Sequence, residues 1–237
     1  LPRHIPRIYC EDLRRELIEL PKDCYLHISS VLKLKTRAEV IAFNRSDGEW
    51  LCSIDSITKH LVIVRRKYLL RSYQSGLQKK IGLAFSPIKP HNTGLIIEKC
   101  TELGVTDFWP IITKFTNYTF KHQKMEVTAK SAVEQCGRLD IPVLHQETSF
   151  ESFVNALPAD FMWISAMERL GKQYQSIFNI DTSSNNCGFI IGPEGGFSEI
   201  ERSRLLSLTL PITLSSNILR SETAAIACIF SVVAKSL

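Results

Sequence analysis

The chain has no cysteine pair spaced for a structural metal or a redox dithiol. Of its seven cysteines the closest two are Cys10 and Cys24, so a C-x-x-C motif is missing. An odd number of thiols, several in apolar runs at Cys100, Cys187 and Cys228, argues against a disulfide framework and for a reduced, cytoplasmic protein. Long hydrophobic runs are also missing. The charge-free stretch Thr223 to Ala234 is too short for the roughly 20 apolar residues of a membrane span, and the opening Leu1 to Arg7 lacks the apolar centre of a secretory signal. Six histidines are scattered without H-x-x-H or H-E-x-x-H spacing, so no metal is expected. With 44% hydrophobic and 22% charged residues in 237, the composition is that of one large or two modest globular domains.

Acidic residues are missing from Ser56 to Ile97. That window holds Lys59, Arg65, Arg66, Lys67, Arg71, Lys79, Lys80 and Lys89, eight cations against a net charge of +5 for the whole chain. With Tyr68, Tyr73 and Phe85 interleaved, it can track a phosphate backbone; it reads equally as a solvated basic face.

Two rhythms divide the chain. Glu39 to Phe43, Trp50 to Ile54 and Leu61 to Val64 are short β-branched and aromatic runs, the first two separated by a turn at Asp47-Gly48. Such closely spaced strands predict a small β-barrel over residues 1–72, and Leu69 to Lys80 reads as a linker. From residue 73 onward strands alternate with helices. Ile81 to Phe85 reads as a strand. Next comes a helix capped at Asn92 or Thr93 and stopped by Gly104, then the strand Val105 to Ile112. Met125, Ala129, Ala132, Val133 and Cys136 fall at helical spacing up to Gly137, and Phe161 to Ser165 and Cys187 to Ile191 are further strands. The alternation predicts an α/β domain with a largely parallel sheet over residues 73–237.

Glycine is scarce, 11 in all, yet Gly192, Gly195 and Gly196 cluster directly after a strand. Ser198 followed by Glu201 forms a capping box, which places these glycines in a strand-to-helix loop. The loop lacks the lysine of a P-loop and the spacing of a dinucleotide fingerprint, so it suits a nucleoside ligand without phosphates, or is only a tight turn. A second strand, Pro211 to Leu214, leads through Ser215 and Ser216 into a helix with Ser221 as the expected N-cap. Arg220 there is unexpected, because the helix dipole repels a cation at that end. Both loops would lie at the carboxyl ends of their strands, where open α/β sheets bind ligands.

Four segments together, IGPEGGFSEIE, ILRSETAA, Lys99 with Thr101 to Val105, and Glu134 to Arg138, resemble the RsmE family of 16S ribosomal RNA (uracil-N3) methyltransferases in the SPOUT superfamily. Pro6 to Tyr9 and the His27 to Lys35 stretch resemble that family's N-terminal PUA-like barrel, so the likeness covers nearly the whole chain. The resemblance implies a C-terminal trefoil knot, a homodimer and 16S ribosomal RNA of the small subunit as partner. It also implies S-adenosylmethionine held by Ile191, Gly192, Pro193, Glu194, Gly195 and Gly196 and by Leu214, Ser215, Ser216, Ile218, Leu219, Arg220, Thr223 and Ala224. Where the family usually carries L-G-x-R-I-L-R, this chain has Ser215 and Asn217 in place of the glycine and first arginine. Asn92 stands where a basic residue is usual.

Methylation at N3 of uracil requires loss of the imide proton. Arg220 is the candidate to stabilise charge on a uracil oxygen, and Glu222 or Glu102 to accept the proton. RNA contacts are expected at Arg7, Lys33, Arg65, Arg66, Lys67, Lys89 and Arg138. Competing readings are another RNA methylation on the same fold, and an RNA-binding protein that has lost its cofactor.

Overall fold

The computed structural model describes residues 5–22, 24–73, 79–167, 175–182 and 186–235. The chain divides into two units, Leu1–Gly76 with Val133–Asp140, and Leu77–Ala132 with Ile141–Leu237.

The first unit is built on five strands: β1 (Arg7–Tyr9), β2 (Leu17–Glu19), β3 (Glu39–Asn44), β4 (Gly48–Ile57) and β5 (Val62–Arg71). A short helix, α1 (Cys24–Leu26), runs into a π-helical turn at His27–Val31. The strand order is β1-β3-β4-β5-β2; β1 pairs with β3 in parallel and the other pairs are antiparallel. Alternate residues supply the core, among them Val40 and Ala42 from β3, Cys52 and Ile54 from β4, and Val62 and Val64 from β5. Gly48 turns β3 into β4 at φ +84°, where a Cβ would sit 2.6 Å from the Arg71 carbonyl oxygen. The expected linker is corrected at its start: Leu69 and Arg71 remain paired with Trp50 and Glu49, in a ladder with three irregularities. Its residues 74–78 lie outside the described residues.

The second unit holds β6 (Ile81–Phe85), α2 (Pro90–Glu102), β7 (Asp107–Ile112), α3 (His122–Cys136, its last turn falling in the first unit), β8 (Val143–Leu144), β9 (Thr148–Ser149) and α4 (Phe150–Asn155). β10 (Phe161–Ala166), β11 (Gln175–Ser176), β12 (Asn186–Ile191), α5 (Glu199–Leu208), β13 (Leu210–Thr213) and α6 (Ser221–Ala234) follow. Its strands run β11-β13-β10-β12-β6-β7-β8, with β9 added to β7, and every pair is parallel. Successive residues of the central strands face opposite cores. Leu83, Phe85, Phe189 and Ile191 face one side with residues of α2 and α6, whereas Ala84 and Ile190 face the other with Phe150, Phe153 and Leu205. Continuous apolar strands buried on both faces are what a parallel sheet covered by helices requires.

Two helix starts differ from expectation. α2 begins at Pro90, after Lys89, without a side-chain cap. Proline is preset for the first helical position, and Thr93 instead bonds both backbone groups of Ile88. α6 has Arg220, not Ser221, at its N-cap, again without a side-chain bond. Gly104 (φ +97°) and Gly137 (φ +86°) follow the ends of α2 and α3 in the left-handed conformation that closes a helix. No helix among the described residues is long and apolar enough to cross a membrane.

Candidate active site

Parallel strands β12, β10 and β13 end side by side, and their ends open on a cavity of about 290 Å³. Its walls are Ile191 to Phe197 after β12, Thr213 to Leu219 after β13, Ala166 and Met167 after β10, Arg202 of α5, and Ser221 and Ala224 of α6. The first loop is held by Gly196, which takes φ +72° and donates its N–H to the Pro193 carbonyl. The capping box then starts α5: Ser198 Oγ accepts from the Glu201 N–H, and the Glu201 carboxylate accepts from the Ser198 N–H at 2.8 Å. The other Glu201 oxygen accepts the Lys114 N–H at 2.7 Å, so this buried carboxylate is committed to the scaffold. Gly192 lets the Phe197 ring pack against the loop, and a Cβ on Gly195 would meet Phe115 at 3.0 Å. Bulk added at Gly195 therefore strikes a neighbouring side chain.

The structure brings most of the expected cofactor residues together. Ile191, Gly192, Pro193, Glu194, Gly195, Gly196, Leu214, Ser215, Ser216, Ile218, Leu219 and Ala224 line the cavity, whereas Arg220 and Thr223 do not. Arg220 is exposed between Leu219 and Ser221, both of which do. The sequence reading missed Ala166, Met167, Phe197, Arg202, Thr213, Asn217 and Ser221. Glu222 is buried and accepts a hydrogen bond from Asn92 Nδ2 at 3.1 Å. Glu102 sits at the far end of α2, paired with Lys99 at 2.9 Å and absent from the cavity wall. Ten residues of helix separate it from Asn92, about 15 Å along the axis. No group of three or more potential metal ligands occurs among the described residues.

A model of the RNA methyltransferase domain family matches residues 75–233. Ribosomal RNA small subunit methyltransferase E of Rickettsia conorii is 33% identical to this chain, over 91% of it and 88% of the relative. The chain belongs to this family. A relative of the same name from Bacillus subtilis is 28% identical over 84% of this chain and 82% of its own. A putative methyltransferase from Legionella pneumophila, solved with bound SAM, has 28% identity and a TM-score of 0.88, covering 98% of each chain. The small subunit methyltransferase E of Neisseria gonorrhoeae, at 22% identity and a TM-score of 0.83 over 96% of each chain, shares the fold.

Ser215 is exposed in the loop after β13. Its Oγ accepts the Asn217 N–H at 3.1 Å, a local turn that serine forms readily. The residues expected to contact RNA are dispersed in their roles. Arg7 is nearly buried over Phe43 and is held by Glu49 at 2.7 Å and by the carbonyls of Val133, Glu134 and Arg138. Arg65 pairs with Glu16 and Asp55, Lys67 with Glu39, and Arg138 with Asp140. Arg66 lies 4.0 Å over the Trp50 ring and donates to the Leu13 carbonyl. Lys33 (φ +50°) and Lys89 are exposed and make no ion pair among the described residues. The acid-free window of the sequence is thus not acid-free in space.

Proposed function

We propose that this chain transfers a methyl group from S-adenosylmethionine to N3 of a uridine in 16S ribosomal RNA, acting on the small subunit in the cytoplasm as a homodimer. The observation that carries the reading is the cavity at the ends of three adjacent parallel strands, formed by the loops that match the family. Its residues fit the cofactor. Glycine-rich backbone offers close N–H and C=O partners for a nucleoside, the volume is at the small end of ligand sites, and Arg202 keeps a buried Nε, unpartnered among the described residues, for an anionic group. Ile191 to Gly196 and Leu214 to Leu219 would hold it. When bound, it supplies an activated sulfonium methyl.

The remaining chemistry falls to this chain. The imide nitrogen of uracil is a poor nucleophile until its proton leaves, since its lone pair is shared with two carbonyls. Glu222 is the proton acceptor in this reading, held in place by Asn92. Arg220, exposed beside the cavity and free of ion pairs among the described residues, stabilises the charge that then grows on a uracil oxygen. Lys33 and Lys89 serve the phosphates.

The finer architecture belongs to the same proposal: a PUA-like barrel over residues 1–72 and a knotted methyltransferase domain over 73–237. The strand order supports the knot, because β13 lies beyond β10 while the α6 that follows it returns to pack on β12, β6 and α2. The dimer is supported by Ile218 at the cavity and Phe230 on α6, large apolar side chains left exposed that a second copy would cover. The deciding experiment incubates the purified protein with unmethylated small subunits and methyl-labelled S-adenosylmethionine, then digests the RNA for mass spectrometry. Labelled 3-methyluridine is expected. Label in ribose, or none, refutes the assignment.

A further inference from the structure

We infer that Arg202 is the anchor for the α-carboxylate of the methionine moiety of the cofactor, an inference that rests on the cofactor reading above. Arg202 is the fourth residue of α5, within the first helical turn, where the helix dipole disfavours a cation. Arg202 makes no ion pair among the described residues. The adjacent buried carboxylate, Glu201, is already bonded by the Ser198 N–H and hydroxyl and by the Lys114 N–H. Arg202 Nε is buried and has no hydrogen-bond partner among the described residues, an arrangement that costs stability unless a ligand completes it. Arg202 lines the cavity, as does the exposed Glu194.

Among the described residues the wall therefore presents two side chains of opposite formal charge and is otherwise neutral. That pattern suits a zwitterionic amino-acid tail better than a phosphate: a guanidinium for the carboxylate, a carboxylate for the ammonium. A phosphate would meet repulsion from Glu194. Arginine can give a carboxylate two parallel N–H bonds, which a lysine cannot reproduce in the same plane. The assignment makes Arg202 a binding residue with no part in the proton transfer.

The test measures binding to the full chain by calorimetry, using S-adenosylmethionine, its decarboxylated form and 5′-methylthioadenosine, which lacks the tail. Wild type should prefer S-adenosylmethionine to the decarboxylated form. Arg202→Gln should lose about tenfold to a hundredfold for S-adenosylmethionine alone, the weight of a hydrogen bond to a charged group. Its affinity for the other two ligands should hold, and Arg202→Lys should recover part of the loss. The variant should fold, since the buried Nε has no bond to lose. Equal weakening for all three ligands would make Arg202 a scaffold residue and overturn the inference, as would unchanged affinity for S-adenosylmethionine. A loss confined to RNA binding would assign the guanidinium to a phosphate, also against it. If wild type binds none of the three, the cofactor reading itself falls; if wild type binds all three and Arg202→Gln loses nothing, only the role of Arg202 falls.

Discussion

Asn92 in the first turn of α2 donates its side-chain amide to Glu222 in the first turn of α6, across 3.1 Å, and so ties together two helices that pack on the same face of the sheet. A neutral donor at this position satisfies the buried carboxylate without adding a fixed cation beside it. Glu222→Gln preserves an acceptor for Asn92 while removing the ability to take a proton. The expected result is a kcat lowered by about 100-fold or more, the usual range for a lost general base, with thermal stability and KM nearly unchanged. Steady-state kinetics and a melting curve on the same preparation check it. Full turnover in Glu222→Gln would make the carboxylate a structural group.

Much of the site was legible because its chemistry is local. Strand, glycine loop and capping box at 187–201 are contiguous, and each leaves its own residue pattern. What contiguity does not encode was missed. Ala166 and Met167 reach the cavity only because β10 lies between β12 and β13, a neighbourhood set by sheet order. Arg202 does leave a local signal, since the dipole argument applied to Arg220 applies equally to a cation in the first turn of α5. The basic window misleads for the complementary reason: Glu39, Glu49 and Asp55 from other strands, and Glu16 just before β2, meet Lys67, Arg65 and Arg71. Pairing across a sheet is invisible to a one-dimensional count.

Those ion pairs change the expected salt dependence of RNA binding. Taking one cation away from a phosphate should lower the log–log slope by about 0.9 for a duplex and 0.7 for a single strand. Lys33→Gln and Lys89→Gln, at unpaired exposed lysines, should each lower it by about that amount. Arg65→Gln should change it by less, because two carboxylates already offset that charge. Binding to small-subunit RNA measured across a salt series decides it. An Arg65→Gln effect as large as that of either lysine would show that its acidic partners yield to the RNA.

Two glycines of the second unit should respond in opposite directions to alanine. A Cβ at Gly188 would lie 2.6 Å from the ring of Trp163, which is itself wedged against Trp109 and Phe153 with its Nε1 bonded to the Pro158 carbonyl. Overpacking there should cost about 1–3 kcal/mol. Gly94 lies inside α2 with open space around its Cβ position, so Gly94→Ala should gain about 0.5–1 kcal/mol. Denaturant titrations followed by tryptophan fluorescence compare the two. A neutral Gly188→Ala would mean that Trp163 is free to move.

Thiol reactivity should report burial. Cys100 and Cys228 pack between α2 and α6 with no exposed surface, and burial pushes both thiols well above the ordinary range. Burial likewise pushes the Cys52 thiol up to about 11. Raising a thiol's pKa lowers its thiolate fraction at any given pH, and the thiolate is the nucleophile. At pH 8, alkylation of the folded protein should reach the partly exposed Cys24 and Cys136 first and spare Cys52, Cys100 and Cys228 until denaturant is added. Peptide mass mapping reads the order; early modification of Cys100 or Cys228 would show that the α2–α6 contact opens.

Arg220 combines an electrostatic cost with no structural return. It is the N-cap of α6, makes no side-chain cap bond, is exposed, and places a cation at the positive end of a helix dipole. Removing it should therefore leave folding untouched or improve it by about 0.3–1 kcal/mol, the scale of a charge–dipole interaction at a helix end. Activity should move the other way. If the guanidinium stabilises charge on the uracil oxygen only as the imide proton leaves, Arg220→Ala lowers kcat and kcat/KM together and leaves RNA affinity nearly intact. Arg220→Lys keeps the charge but not the planar fork, and should recover part of the rate. A melting curve paired with single-turnover methylation separates the two effects, because a residue kept for folding would lose both stability and rate. Should Arg220→Ala melt higher and turn over at the wild-type rate, the arginine is an ordinary surface residue and the charge on the uracil must be met by another group.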